Sequence, residues 1–268
     1  MPLKDRVLHS PFFWKSSKKF SKYFYRILSR RVAGDDVVFF NFGYEEDPPM
    51  AVPLDAADEP NRSCIQLYHS TAAQTDLSGK RVLEVGCGHG GGASYVTRSF
   101  HPASYTGLDL NATGIAFCQK RHKVPGLEFV QGNAENLPFP DESFDAVINI
   151  ESSNHYPDLP RFLAEVARVL RPGGHFLHAD TQPHDGIEAW EAMLANAPMR
   201  MLSQREINEQ VMRGMEKNTE HWRGVIDRNT PVWLQRFART LVPVPDTVVY
   251  HDLESGILSY RMYHFVKE

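Results

Sequence analysis

Glu84 stands just ahead of a run of glycines, Gly86-Cys87-Gly88-His89-Gly90-Gly91-Gly92, and this pairing of a carboxylate with bare backbone is where chemistry can be read most directly. Val82, Leu83 and Val85 lead into the run as a strand would, and a helix starts near Ala93. A strand feeding such a loop brings backbone N–H groups against a ligand without steric cost. The glycines alone are ambiguous, because Gly86-x-Gly88-x-x-Gly91 also satisfies the dinucleotide fingerprint of nicotinamide enzymes. Glu84 tips the reading, since a carboxylate suits a cationic ligand end and sits badly beside a pyrophosphate.

Two further strand ends carry matching chemistry. Asp109 closes a second strand, where a carboxylate accepts both hydroxyls of a ribose. Asn133-Ala134-Glu135 follows a third, where an amide and a carboxylate read an adenine edge. Each alone is an ordinary loop residue; three in register after three consecutive strands point to one ligand site.

The elements that must hold these residues alternate. Strands are predicted at Arg81–Val85, Tyr105–Leu110, Leu127–Gln131, Phe144–Ile150 and His175–Asp180. Helices are predicted after Gly92, over Thr113–His122 and over Leu159–Leu170, the last stopped by Arg171-Pro172-Gly173-Gly174, with another over Arg62–Thr75. In a parallel sheet of this kind ligands bind at the carboxyl ends of the strands. Residues 181–244 read as a helical cap insertion, followed by an antiparallel hairpin of strands near Thr247–His251 and Ser259–Val266. The expected division is a basic N-terminal extension and lid over 1–60 and a catalytic domain over 61–268.

Composition is that of a soluble globular chain, with three cysteines and no C-x-x-C pair, which argues for a reducing, cytoplasmic setting without disulfides. The net charge of −4 conceals an asymmetry: residues 1–31 carry nine Lys or Arg against Asp5, leaving −12 on the rest. An acidic body disfavours nucleic acid as a partner. Between Pro11 and Arg31, Phe13, Phe20, Phe24, Ile27 and Leu28 recur at helical spacing, opposite Lys15, Lys19, Lys22, Arg26 and Arg30. That pattern fits a helix packed on the domain as a lid or one lying on a membrane surface, and both readings stay open.

Five ordered motifs together resemble the class I S-adenosylmethionine (SAM)-dependent methyltransferases: Glu84-x-Gly86-x-Gly88-x-Gly90, Leu108-Asp109-Leu110, Gly132-Asn133-Ala134-Glu135-x-Leu137-Pro138-Phe139, Phe144-Asp145-Ala146-Val147 and Val169-Leu170-Arg171-Pro172-Gly173-Gly174. Asn41-Phe42-Gly43-Tyr44-Glu45-Glu46, His101-Pro102-Ala103-Ser104-Tyr105 and Leu258-Ser259-Tyr260-Arg261-Met262-Tyr263 are similar to mycobacterial lipid O-methyltransferases. The resemblance implies an α/β fold, a Rossmann-like seven-stranded class I sheet with an N-terminal helical extension and a helical cap. It implies SAM as cofactor, with the methionine moiety on Glu84 and the loop backbone of Gly86, Cys87, Gly88 and Gly90. Asp109 and Leu110 then meet the ribose, Asn133, Ala134 and Glu135 the adenine, Ile150 lines the site, and Tyr44 closes over it. No metal is implied.

For the acceptor, related small-molecule O-methyltransferases place histidines after the fourth strand and an Asp at the end of the fifth. His155 and Asp180 occupy those places here, as candidate general base and its partner, although the lipid enzymes more often show His-Cys where this chain has Asn154-His155. A hydroxyl acceptor needs such a base; a carboxylate acceptor arrives ionised. The insertion holds Trp190, Met193, Leu194, Met199, Met201, Met212 and Met215, adaptable side chains suited to an alkyl chain. The expected activity is therefore SAM-dependent O-methylation of a lipophilic acceptor (a phthiotriol-type lipid, a lipid-linked sugar or a fatty acid). Alternatives are a non-lipid polyketide or sugar acceptor, or a non-catalytic SAM-binding protein.

Overall fold

The branched runs Arg81–Val85 (β1), Ser104–Asp109 (β2), Leu127–Gln131 (β3) and Phe144–Ile150 (β4) form strands as read. With Leu170–Pro183 (β5), Arg200–Glu206 (β6) and Leu258–Val266 (β7) they make a seven-stranded sheet in the order β3-β2-β1-β4-β5-β7-β6. This computed structural model describes residues 37–268 apart from 240, 241 and 246, so the basic head and its lid or membrane alternatives lie outside the described residues. The neighbours among β1 to β5 run parallel, while β7 lies antiparallel between β5 and β6. Strand order turns back between β1 and β4, which opens a crevice between the loops leaving their carboxyl ends.

Helices Arg62–Ala72 (α1), Gly91–Phe100 (α2), Ala112–Arg121 (α3) and Leu159–Val169 (α4) flank this core. In α4 the periodic residues Phe162, Leu163, Val166 and Val169 are buried, and Asp158 caps the start by accepting the Arg161 N–H. Leu170 already pairs with Phe144 in β5, and the Arg171–Gly174 stretch is absorbed as an irregularity before pairing resumes at Ala146 and His175. The expected helix stop is thus a bulge at the entry of a strand.

Beyond β5 the structure corrects three expectations. The 181–244 stretch is not wholly helical: Ile187–Ala195 (α5), Asn208–Lys217 (α6), Thr219–Asn229 (α7) and Val232–Ala238 (α8) are interrupted by β6, the polar edge strand. Its exposed Ser203, Gln204 and Arg205 conceal the strand from a hydrophobicity reading, and only pairing with β7 makes it one. The strand expected near Thr247–His251 is instead helix α9, Val248–Glu254, so β7 pairs with β6 from across the insertion and not in a hairpin. Finally, Trp190, Leu194 and Met199 belong to the main core with Phe162, Phe176 and Tyr263, where Met193 and Met201 also pack, so these residues do not form a free alkyl-binding cap. No helix among the described residues is long and apolar enough to cross a membrane.

Candidate active site

The glycine loop sits at the mouth of the crevice. Gly86 adopts φ +83°, and a side-chain carbon there would stand 2.0 Å from Ser152 Oγ and 3.0 Å from the Tyr156 hydroxyl. The loops after β1 and β4 therefore meet through a position that admits only glycine. Asn149 ties them further, donating to Val85 O and to the Tyr156 hydroxyl, which lies 2.7 Å from Ser152 Oγ. Gly92 serves packing: a methyl there would strike the Tyr68 ring at 1.9 Å, so α1 can press against the start of α2.

Four carboxyl groups line the ends of four adjacent strands. Glu84 (β1) is 1 % exposed and accepts from the Tyr68 and Tyr105 hydroxyls at 2.8 and 2.9 Å. Burial pushes its carboxyl up to about 7, against the two hydroxyls that favour the ionised form. Asp109 (β2) accepts from the N–H groups of Gly88 and Asn111, and burial raises its carboxyl too. After β4 comes Glu151, at φ +48°, whose Oε1 accepts from Phe42 N–H and the Tyr260 hydroxyl, each at 2.9 Å. Burial pushes it up to about 8, and the Asp180 charge adds to the rise. Asp180 (β5) is 2 % exposed and accepts from Ser153 Oγ, both nitrogens of Asn154 and Thr181 N–H. Among the described residues no Lys or Arg side chain bonds any of the four. Such a donor set, rich in buried carboxyls and poor in cations, fits a positively charged ligand.

Residues 38–46 run as a strap across these ends. Val38 O accepts the Gly91 N–H, Phe40 packs edge-on against His89, Phe42 reaches Glu151, and Tyr44 N–H donates to Ser63 O. Glu45 N–H then donates to Gln210 O in α6. The strap links the glycine loop to the far side of the sheet.

The structure redistributes several predicted residues. Cys87 turns its buried side chain towards β2, leaving its backbone to the loop, where Cys87 N–H donates to Leu108 O. Gly90 faces the Phe129 ring and initiates α2. Leu110 is 56 % exposed beyond Asp109, and Ile150 is buried at the crevice. Asn133 folds back to accept its own loop's Glu135 N–H, and Ala134 lies in the core. Glu135 is drawn from the expected adenine side to the start of α4, where its carboxylate accepts the Asp158 N–H. The Tyr44 hydroxyl bonds Glu46 and receives Arg205 of β6. His155 lies exposed at the end of the 3-10 turn Ser153–His155, and Asn154 takes the position on Asp180 that a histidine was expected to fill.

Comparison with known proteins decides the family. The profile described as Methyltransferase domain matches residues 83–178, from β1 to β5. The chain is 57 % identical over 251 residues to the phthiotriol/phenolphthiotriol dimycocerosates methyltransferase of Mycobacterium tuberculosis, covering 94 % of this chain and 93 % of that one. The chain belongs to the class I methyltransferases. This methyltransferase is also 57 % identical over 257 residues to the fatty-acid O-methyltransferase of Mycolicibacterium smegmatis, covering 94 % of this chain and 92 % of the relative. Its fold matches a geranyl diphosphate C-methyltransferase from Streptomyces coelicolor with a TM-score of 0.62 at 16 % identity, over 91 % of this chain and 98 % of that one.

Sequence reasoning passed over two residues that this methyltransferase places at the centre of its crevice. Glu151 lies just past the fourth strand, and Tyr260 lies within the C-terminal motif Leu258–Tyr263. An acid at a strand's carboxyl end was the available signal for Glu151. Tyr260 gave none, because only the β5–β7 pairing, which sets it opposite Thr181, brings it there.

Proposed function

We propose that this methyltransferase transfers a methyl group from SAM to an oxygen of a lipid acceptor. The observation that carries the cofactor half is the row of four buried or partly buried carboxyls, bonded by no Lys or Arg among the described residues, beside a loop that admits only glycine at Gly86. SAM is cationic at its sulfonium and at its amino group, and it supplies an electrophilic methyl when bound. Glu84 and the backbone of Gly86, Cys87 and Gly88 are the groups for the methionine end, Asp109 and Leu110 for the ribose, and Asn133, Ala134 and Ile150 for the remaining walls. The relatives named for lipid substrates support the acceptor half.

The chain's own contribution is positioning. The strap and the loops after β1 and β4 exclude water from the crevice, and holding two reactants in line can lower a barrier by about 7–11 kcal/mol. Asp180 orients Ser153 and Asn154 through three hydrogen bonds, building a polar wall where the acceptor oxygen must approach. A hydroxyl acceptor is the first reading, because a crevice lined by carboxyls offers a carboxylate acceptor no cationic partner among the described residues. A fatty-acid carboxylate is the second reading, favoured by the relative named for that substrate.

Calorimetry with SAM and transfer of labelled methyl to a panel of hydroxylated polyketide lipids and free fatty acids test both halves. Stable label in hydroxylated lipids is the expected outcome. Base-labile label in fatty acids alone establishes the ester reading instead, and absence of SAM binding sinks the proposal.

A further inference from the structure

We propose that Glu151 is the catalytic residue that takes the proton from the acceptor hydroxyl; this rests on the methyltransferase reading above. Three geometric facts lead to it. Glu151 follows β4 directly, beside Ser152, which touches Gly86, so the residue stands between the glycine loop and the Asp180 hydrogen-bond network. Its backbone is held at φ +48°, a conformation that a residue with a side chain adopts at a cost and that functional sites retain. Both fixed donors, Phe42 N–H and the Tyr260 hydroxyl, engage Oε1, and the residue is partly exposed. His155, by contrast, is exposed, and the polar wall is completed by Asn154.

In the step, the acceptor O–H bond breaks and its proton bonds to Oε2. The electron pair left on that oxygen forms the new O–CH3 bond, as the methyl carbon's bond to sulfur breaks and its pair stays on sulfur. Glu151 gives the proton to solvent when product leaves. Among the described residues the groups facing Glu151 are Asp180 from β5, Tyr260 from β7, and Cys64 and Tyr68 from α1. None is cationic, so the carboxyl stays protonated near neutrality until a cation arrives to favour its ionised form. Donor binding therefore arms the base.

Glu151→Gln tests this while keeping an amide oxygen for Phe42 and Tyr260. Turnover of a hydroxylated lipid should fall about 10²–10⁴-fold, the acid limb of the pH–rate profile should vanish, and SAM should still bind but about tenfold more weakly at pH 7, because its cation no longer draws a proton from this carboxyl. Calorimetry of SAM binding at pH 7 in buffers of different ionisation enthalpy should show fewer protons released than in the wild type, by up to about one. Tyr260→Phe removes a hydrogen bond that favours the ionised carboxyl, so its acid limb should move to higher pH. Glu151→Gln with near-normal turnover, or an unchanged proton count, overturns the assignment. So does an acid limb that Glu151→Gln keeps and His155→Ala abolishes. If the wild type neither binds SAM nor methylates any lipid, the functional reading itself fails; if it methylates hydroxyls and Glu151→Gln does so equally, only the base assignment fails.

Discussion

A methyl group at Gly86 has nowhere to go: its carbon would overlap Ser152 Oγ at 2.0 Å, on a backbone already at positive φ. Relief requires the loop after β4 to retreat, and that loop carries Glu151 and the Asp180 partners. Gly86→Ala should therefore cost about 1–3 kcal/mol of stability from the backbone alone and weaken SAM binding, whereas Gly79→Ala, whose side chain would meet open space, should share the backbone cost without the loss of affinity. Urea denaturation and calorimetry on both variants separate the two effects. Equal SAM affinity in both would show that the Gly86–Ser152 contact is immaterial. At this scale the glycine loop, Glu84 and Asp109 were legible because their chemistry is local. Asn154 on Asp180 was not, since Asn154-His155 offers two polar candidates and only the path of the 3-10 turn selects one.

Elements were legible where the hydrophobic period was strong and the sequence neighbours were also spatial neighbours. Strands β1, β3 and β4 fall where the sequence places them, and α4 differs by one residue. Val248-Val249-Tyr250 reads locally as strand, yet it forms α9 because Asn208 accepts a position under it, donating to Leu253 O and Leu258 O, and Tyr250 reaches Glu216 of α6. The insertion illustrates the same rule. Its Leu194 is fully buried within the sheet core, so α5 is a structural helix, not a lid. Leu194→Ala should lower stability by about 2–5 kcal/mol, measured by urea denaturation. A change under about 0.5 kcal/mol, the size ordinary for surface positions, would show that α5 is not part of the core.

Across the whole molecule, burying acids without cations makes stability depend on pH in a defined sense. Glu84 and Glu151, raised to about 7 and about 8, keep protons in the folded chain that the unfolded chain has already lost. Their contribution is full below the ordinary glutamate value of 4.5 and is lost as pH rises through 7 and 8. Histidines lowered by burial, among them His122, His178 and His264, act in the opposite sense, but only below their ordinary 6.5. Between pH 6.5 and 8.5 the ligand-free protein should thus lose stability as pH rises, by at most about 1.4 kcal/mol per unit for each carboxyl, and Glu84→Gln should flatten the slope. SAM should reverse it, binding more tightly as pH rises, because a cation favours the ionised carboxyls. Urea midpoints across this range, with and without SAM, check both signs; a flat or rising ligand-free curve refutes the buried-acid account.

The sequence by itself determined the α/β architecture and the family and singled out the loop proposed for the cofactor, because those depend on period-two and period-3.6 patterns and on a contiguous loop of a few residues. The tertiary structure decided the acceptor end. Glu151, Asn154, Asp180, Tyr260 and Phe42 are far apart in the chain, and only the strand order, the antiparallel insertion of β7 and the strap bring them together. Burial then sets which carboxyl keeps its proton, and burial belongs to the packed molecule.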